Sequence, residues 1–129
     1  MNSPEIAPAN LQFIKTSLTP SLRVKLVAEA LGTAFLLIAV VGSGILGERL
    51  AAGNTAIALL ANALATAAAL FALIEWFAPL SGAYFNPVVT LAFARRRDVT
   101  PSTAAAYGIT QFVAAIVGVA VADAMFGVP

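Results

Sequence analysis

Asn86 and Pro87 stand in the stretch SGAYFNPVVTLA, residues 81–92, between two long apolar runs. An asparagine amide donates and accepts hydrogen bonds without ionising, and followed by proline it reads as the N-cap of a helix. The other residues able to do chemistry are few. The sequence has no Cys and no His, which excludes thiolate or imidazole metal sites, disulfides and every Ser/His or Cys/His catalytic arrangement. The carboxylates in or near the apolar runs, Glu29, Glu75 and Asp123, stand too far apart for an evident acid–base pair. Glu75 and Asp123 read as helix-end residues facing headgroups. No cofactor and no enzymatic reaction is expected, and no basic, aromatic-interleaved surface supports nucleic-acid binding.

The elements that position these residues are set by composition. Of 129 residues, 60% are hydrophobic and 10% charged, with net charge +1 and mean hydropathy +0.93. A soluble domain of this length would need far more charge on its surface. The expected class is an all-α membrane protein: three transmembrane helices plus one re-entrant half-helix. The spans are expected at about 26–47, 55–80 and 103–126, each near the roughly 20 residues that cross a bilayer. Residues 1–25 lack a continuous apolar core and read as a polar arm rather than a cleaved signal, leaving 26–129 as the membrane unit.

The segment at about 81–95 explains the opening motif. From Asn86 the helix NPVVTLAFA reaches only ~14 Å before Arg95, Arg96 and Arg97, which belong at a membrane surface. The chain must therefore descend through SGAYF, turn at Asn86 and return to the side it left. Irregular backbone at that depth requires surrounding protein or a water-filled cavity. Small residues in the spans, among them Ala28, Gly32, Gly42, Gly44 and Gly118, read as close helix contacts.

Lys15, Arg23 and Lys25 precede the first span, and Arg95, Arg96 and Arg97 precede the third, so all six share one side, with Arg49 opposite. The positive-inside rule places the N-terminus in the cytoplasm and the C-terminus outside. Contact with anionic lipid is the other reading of the three arginines.

Three motifs in order resemble the major intrinsic protein family of aquaporins and glycerol facilitators. SGAYFNPVVTLA is similar to that family's SGAHxNPAVTLA, AEALGTAFL to AExxGTFxL, and YGITQFVAAIVG to YxxAQxxGAxxG. The match covers roughly residues 26–126 and looks most like bacterial members, which implies a bacterial inner membrane. The resemblance implies one inverted-repeat unit of an aquaporin-like fold. Asn86 and Pro87 would be the midplane pair, and Ser81, Gly82, Ala83, Tyr84 and Phe85 would supply a ladder of backbone carbonyls. Glu29 would brace the re-entrant backbone, its plainer reading being an interfacial Glu near a helix start, and Gln111 would be structural. Counting back from the signature puts Thr66 near the family's second-helix constriction, with Asn62 on the same face. An interhelical hydrogen bond accounts for those two equally well.

The sequence departs from the pattern in Tyr84, where His is usual, and Val88, where Ala is usual; the added bulk of Val88 should crowd an opposing half-helix. Only the first half of the family pattern is present, and Val89 occupies the offset at which the second half carries its constriction Arg. The expected function is a component of a passive channel for water, glycerol or similar small neutral solutes, closed by a second half-unit of opposite orientation. That half would be a separate chain or an inverted copy, with membrane lipid and a homo-oligomer as further partners. The alternative is a truncated, non-conducting relative acting only as a structural or interacting membrane protein.

Overall fold

The computed structural model describes residues 19–128. It holds four helices, α1 (Leu22–Leu50), α2 (Thr55–Ser81), α3 (Pro87–Arg95) and α4 (Pro101–Phe126), with no strand among the described residues. Helices α1, α2 and α4 are long and apolar enough to cross a membrane. With 29, 27 and 26 residues they reach roughly 39–44 Å, against a hydrocarbon core of about 30 Å. Helix α3, at nine residues, reaches less than half that depth. The chain is an all-α membrane protein of three long helices and one short one.

Local signals set most boundaries. Asn54 caps α2, its side chain accepting from the Ile57 N–H at 3.3 Å. Thr100 caps α4, accepting from the Thr103 N–H at 3.3 Å, with Pro101 at the first position. Helix α1 is longer at both ends than the apolar run from which it was expected. It starts at Leu22 because Ser21 caps it, and it runs on to Leu50 through Glu48 and Arg49. These are good helix formers that can lie in the headgroup region. The expected polar arm therefore gives way to helix before residue 25, while residues 1–18, including Lys15, lie outside the described residues. Helix α3 ends in a Schellman turn. Asp98 N–H donates to Phe93 O at 3.1 Å, and Arg97 N–H to Ala94 O at 3.0 Å. Arg97 takes the left-handed position there, with φ 66°.

Helix α1 packs against both α2 and α4, and α3 packs against α4. The close approach rests on glycine. A Cβ on Gly118 would stand 2.6 Å from Ala34 O and 3.0 Å from Leu37 Cβ, so α4 can lie on α1 only without that side chain. At the far end, Arg49 Nη2 donates to Phe126 O at 2.8 Å, and its guanidinium lies 5.7 Å from the Phe126 ring centroid. A cation at the negative end of α4 is favourable. Most of α2 stays exposed, with Leu73 its one buried residue, as suits a helix facing lipid or another protein surface.

Gly118→Ala should therefore destabilise the unit by about 1–3 kcal/mol, the usual cost of overpacking, in a denaturant titration of the detergent-solubilised protein. Gly108→Ala, at a site with no atom within 4 Å of the new methyl, should cost nothing.

Candidate functional site

The descent from α2 to α3 is built from backbone that L-residues rarely adopt. Gly82, Ala83 and Phe85 have φ of 98°, 55° and 51°, and a non-glycine residue held there costs about 1–3 kcal/mol. Glu29, fully buried on α1, holds the segment in place. Its Oε1 accepts from Ser81 Oγ at 2.6 Å and Tyr84 N–H at 3.1 Å. Its Oε2 accepts from Phe85 N–H at 2.7 Å and Gln111 Nε2 at 2.8 Å. Such bonds to a charged acceptor are worth about 1.5–3 kcal/mol each, enough to hold the left-handed residues. One turn along α1, Gly32 leaves room for the Phe85 ring, which occupies the space a Cβ would need.

The bonding sorts the loop's donors from its acceptors. Gly82 N–H reaches Ala78 O, Ala83 N–H reaches Ser81 Oγ, and the next two reach Glu29. Of the carbonyls, Ser81 O accepts from Tyr107 OH at 2.9 Å and Phe85 O from Thr33 Oγ1 at 3.2 Å. Among the described residues no hydrogen bond ends on the carbonyls of Gly82, Ala83 and Tyr84. Of the five carbonyls expected as a ladder, three consecutive ones thus meet no donor among the described residues, and the two outer ones each already accept a bond.

Asn86 caps α3. Its Oδ1 accepts from Val88 N–H at 2.8 Å, which fixes the amide and leaves its two Nδ2 hydrogens to donate. Pro87 takes the first helical position. One turn on, Thr90 Oγ1 exchanges bonds with the Gln111 side chain at 2.9 and 3.1 Å. Gln111 thereby joins α3 to Glu29. Val88, 74% exposed, and Val89 lie on the open side of α3.

The remaining expected residues are spread out. Asn62 Nδ2 donates to Val40 O at 2.7 Å and Ser43 Oγ at 2.9 Å, an interhelical tie between α2 and α1. Thr66 Oγ1 is shielded and finds no partner among the described residues, so in this unit it presents no hydroxyl to an open surface. Glu75 is exposed on α2 and Asp123 lies in the last turn of α4, and neither approaches Glu29. No group of three or more metal-ligating residues occurs among the described residues. Tyr84 stacks on Phe93 at 4.6 Å, with the Arg96 guanidinium 5.5 Å from the Phe93 centroid. Beside it a polar cavity of ≈ 370 Å³ is lined by residues including Lys25, Gly82, Tyr84, Asp98 and Tyr107. Thr33 and Tyr107 were not singled out from the sequence, though each sits in a recognised motif, AEALGTAFL and YGITQFVAAIVG.

The family model described as "Major intrinsic protein" matches residues 16–128. The chain belongs to the major intrinsic protein family. It is 52% identical over 103 residues to "Aquaglyceroporin AqpS" of Rhizobium meliloti (strain 1021), covering 80% of this chain and 44% of that protein. It is 35% identical over 101 residues to "Probable aquaporin PIP2-8" of Oryza sativa subsp. japonica, covering 78% and 36%. Against "Neurogenic protein big brain" of Drosophila melanogaster it is 44% identical over 62 residues, covering 48% and 9%. The chain spans less than half the length of the curated relatives it matches. No solved structure matches it significantly. Seen as a family member, the chain carries the re-entrant Asn-Pro half-helix together with the buried carboxylate beneath it.

Glu29→Gln tests that arrangement. An amide in place of the carboxylate turns an NH2 toward two of the four donors. The side-chain donor of each pair, the Ser81 hydroxyl or the Gln111 amide, can turn to accept from it. The backbone N–H cannot, and leaving that donor unsatisfied should cost about 1–3 kcal/mol in the same titration. The loop around Ser81 should also become open to protease.

Proposed function

We propose that this chain is one half-unit of a passive membrane pore for water, glycerol or similar small neutral solutes. The observation that carries the reading is the sorting of hydrogen-bonding groups along the loop. Three consecutive carbonyls are left as acceptors, and the Asn86 amide follows them as a donor. A file of that kind exchanges bonds with a hydroxylic molecule, which both donates and accepts, and it makes no covalent demand on it. The positive end of the α3 dipole at Asn86 opposes protons and other cations. The reaction class is translocation, not catalysis. The aquaporin and aquaglyceroporin names of the relatives support the same reading.

A second half-unit of opposite orientation closes the passage, whether it lies on the same polypeptide, on another chain or on an inverted copy. Two features favour it. Helix α3 packs on α4 alone, with Val88 and Leu91 bare. At the opposite end a groove of ≈ 540 Å³ opens between α1 and α2, lined in part by Val40, Gly44, Ala58 and Asn62, where a half-helix arriving from the other surface would fit. Asn86, Pro87 and the carbonyls of residues 81–85 form the near half of the pore in this reading, and Thr66 and Val89 are its candidate constriction. Glu29 and Gln111 hold it from behind. Lys25 and Asp98 line one cavity, which supports placing Arg23, Lys25 and Arg95 to Arg97 on one face. That face is cytoplasmic by the positive-inside rule, in a bacterial inner membrane by the likeness to the Rhizobium protein. Pores of this family assembling as homo-oligomers would leave α2 against lipid or a neighbour.

Stopped-flow light scattering on liposomes, under water and glycerol gradients, tests the reading with Asn86→Asp alongside. Aspartate caps a helix as well as asparagine does, so the fold should persist while the amide donors are lost and a charge is gained. Permeability above empty liposomes, falling at least severalfold in the variant, is expected once both half-units are present. A folded, helical chain that stays at the level of empty liposomes, alone and with an opposite half-unit, would make the non-conducting reading the correct one.

A further inference from the structure

A groove of ≈ 350 Å³ runs between the N-terminal part of α1 and the C-terminal part of α2, with no residue of the re-entrant loop in its wall. Val27, Leu31, Phe77 and Leu80 supply much of its wall, and Arg23 is its one charged lining residue. Arg23, Val27 and Leu31 are spaced i, i+4, i+8 and share one face of α1. Arg23 lies in the first turn, where the helix meets the membrane surface, and Leu31 lies ~12 Å deeper. That is close to the depth of one leaflet, half of a roughly 30 Å core. The groove is therefore apolar over the reach of an acyl chain and cationic at headgroup level.

We infer that this groove holds one chain of an anionic phospholipid, with the Arg23 guanidinium on its phosphate. Arg23 is exposed, and among the described residues no carboxylate pairs with it, the one ion pair there joining Arg96 to Asp98. A guanidinium matches a phosphate with two parallel N–H donors, and where the headgroup is zwitterionic its choline cation opposes the same pairing and leaves no net charge to attract Arg23. A second copy is the poorer occupant. Packed isologously in the same orientation, it would bring two Arg23 to one level and bury them against apolar walls.

The test is independent of conduction. Native mass spectrometry of the detergent-solubilised chain would count bound phosphatidylglycerol and phosphatidylcholine of identical acyl composition. Phosphatidylglycerol should be retained preferentially, and Arg23→Gln should weaken it about tenfold. Val27→Trp, which fills the groove without changing charge, should weaken both lipids, while Arg95→Gln, off the groove, should leave both unchanged. Equal retention of the two lipids overturns the inference. So do equal losses in Arg23→Gln and Arg95→Gln, which would mean diffuse attraction to a basic face. A Val27→Trp spectrum that loses copies of the chain instead of lipids would make the groove a contact between copies.

Discussion

A polypeptide that turns back halfway through a bilayer must satisfy its peptide groups without water, and here one carboxylate does most of that. Glu29 collects two backbone N–H groups, a serine hydroxyl and a glutamine amide. A lone carboxylate at that depth would be costly, and the four donors are what make it tolerable. The dependence is mutual. The loop's left-handed residues need a fixed acceptor, and the acceptor needs the loop's donors. Gln111 extends the same set to Thr90, so α1, the loop, α3 and α4 are joined through one polar cluster in an otherwise apolar interior.

That cluster requires the helices to come close, and small residues allow it. Glu29, Gly32 and Thr33 fall within little more than one turn of α1 and face the loop together, one holding its N–H groups, one receiving the Phe85 ring, one binding its last carbonyl. Gly118 lets α4 approach α1 so that Gln111, two turns earlier, reaches Glu29. Polar recognition and backbone packing are thus the same constraint seen at two scales. A helix separation widened by a methyl group would lengthen hydrogen bonds that have no water to replace them.

How far the sequence foretold this depends on how local each determinant is. Asn86 and Pro87 were legible because an N-cap and a first-turn proline act within four residues, and the shortness of α3 was legible in the arginines at which it ends. Thr100 and Pro101 were legible for the same reason. The ends of α1 were not, since hydropathy marks where a helix meets lipid and not where its hydrogen bonds stop. Glu29 as a brace came through resemblance, because nothing within a turn of it shows what it binds. The split of the carbonyl ladder could not be read at all. It depends on Tyr107 and Thr33 reaching across the fold to Ser81 and Phe85, contacts 26 and 52 residues apart in the chain. Asn62 and Thr66, taken together by spacing, differ in the structure, where Asn62 hydrogen-bonds to α1 and the Thr66 hydroxyl has no hydrogen-bond partner among the described residues.

The positive φ values at Gly82, Ala83 and Phe85 belong to this same sorting. Extended backbone alternates its N–H and C=O groups between two sides, so an ordinary strand would show Glu29 as many carbonyls as donors. Left-handed residues reorient successive peptide planes, and here four consecutive N–H groups end on protein acceptors while three carbonyls in the same stretch receive no bond from the described residues. The strain is thus tied to the polarity of the exposed side: relaxing the backbone would return acceptors to a carboxylate that repels them and donors to a face that now carries none. Glu29 therefore does more than hold the loop in place. By taking the donors, it determines which groups remain on the other side of the loop, and in the proposed pore Asn86, its side-chain carbonyl tied down by the Val88 N–H, would supply the donor that the loop has given up.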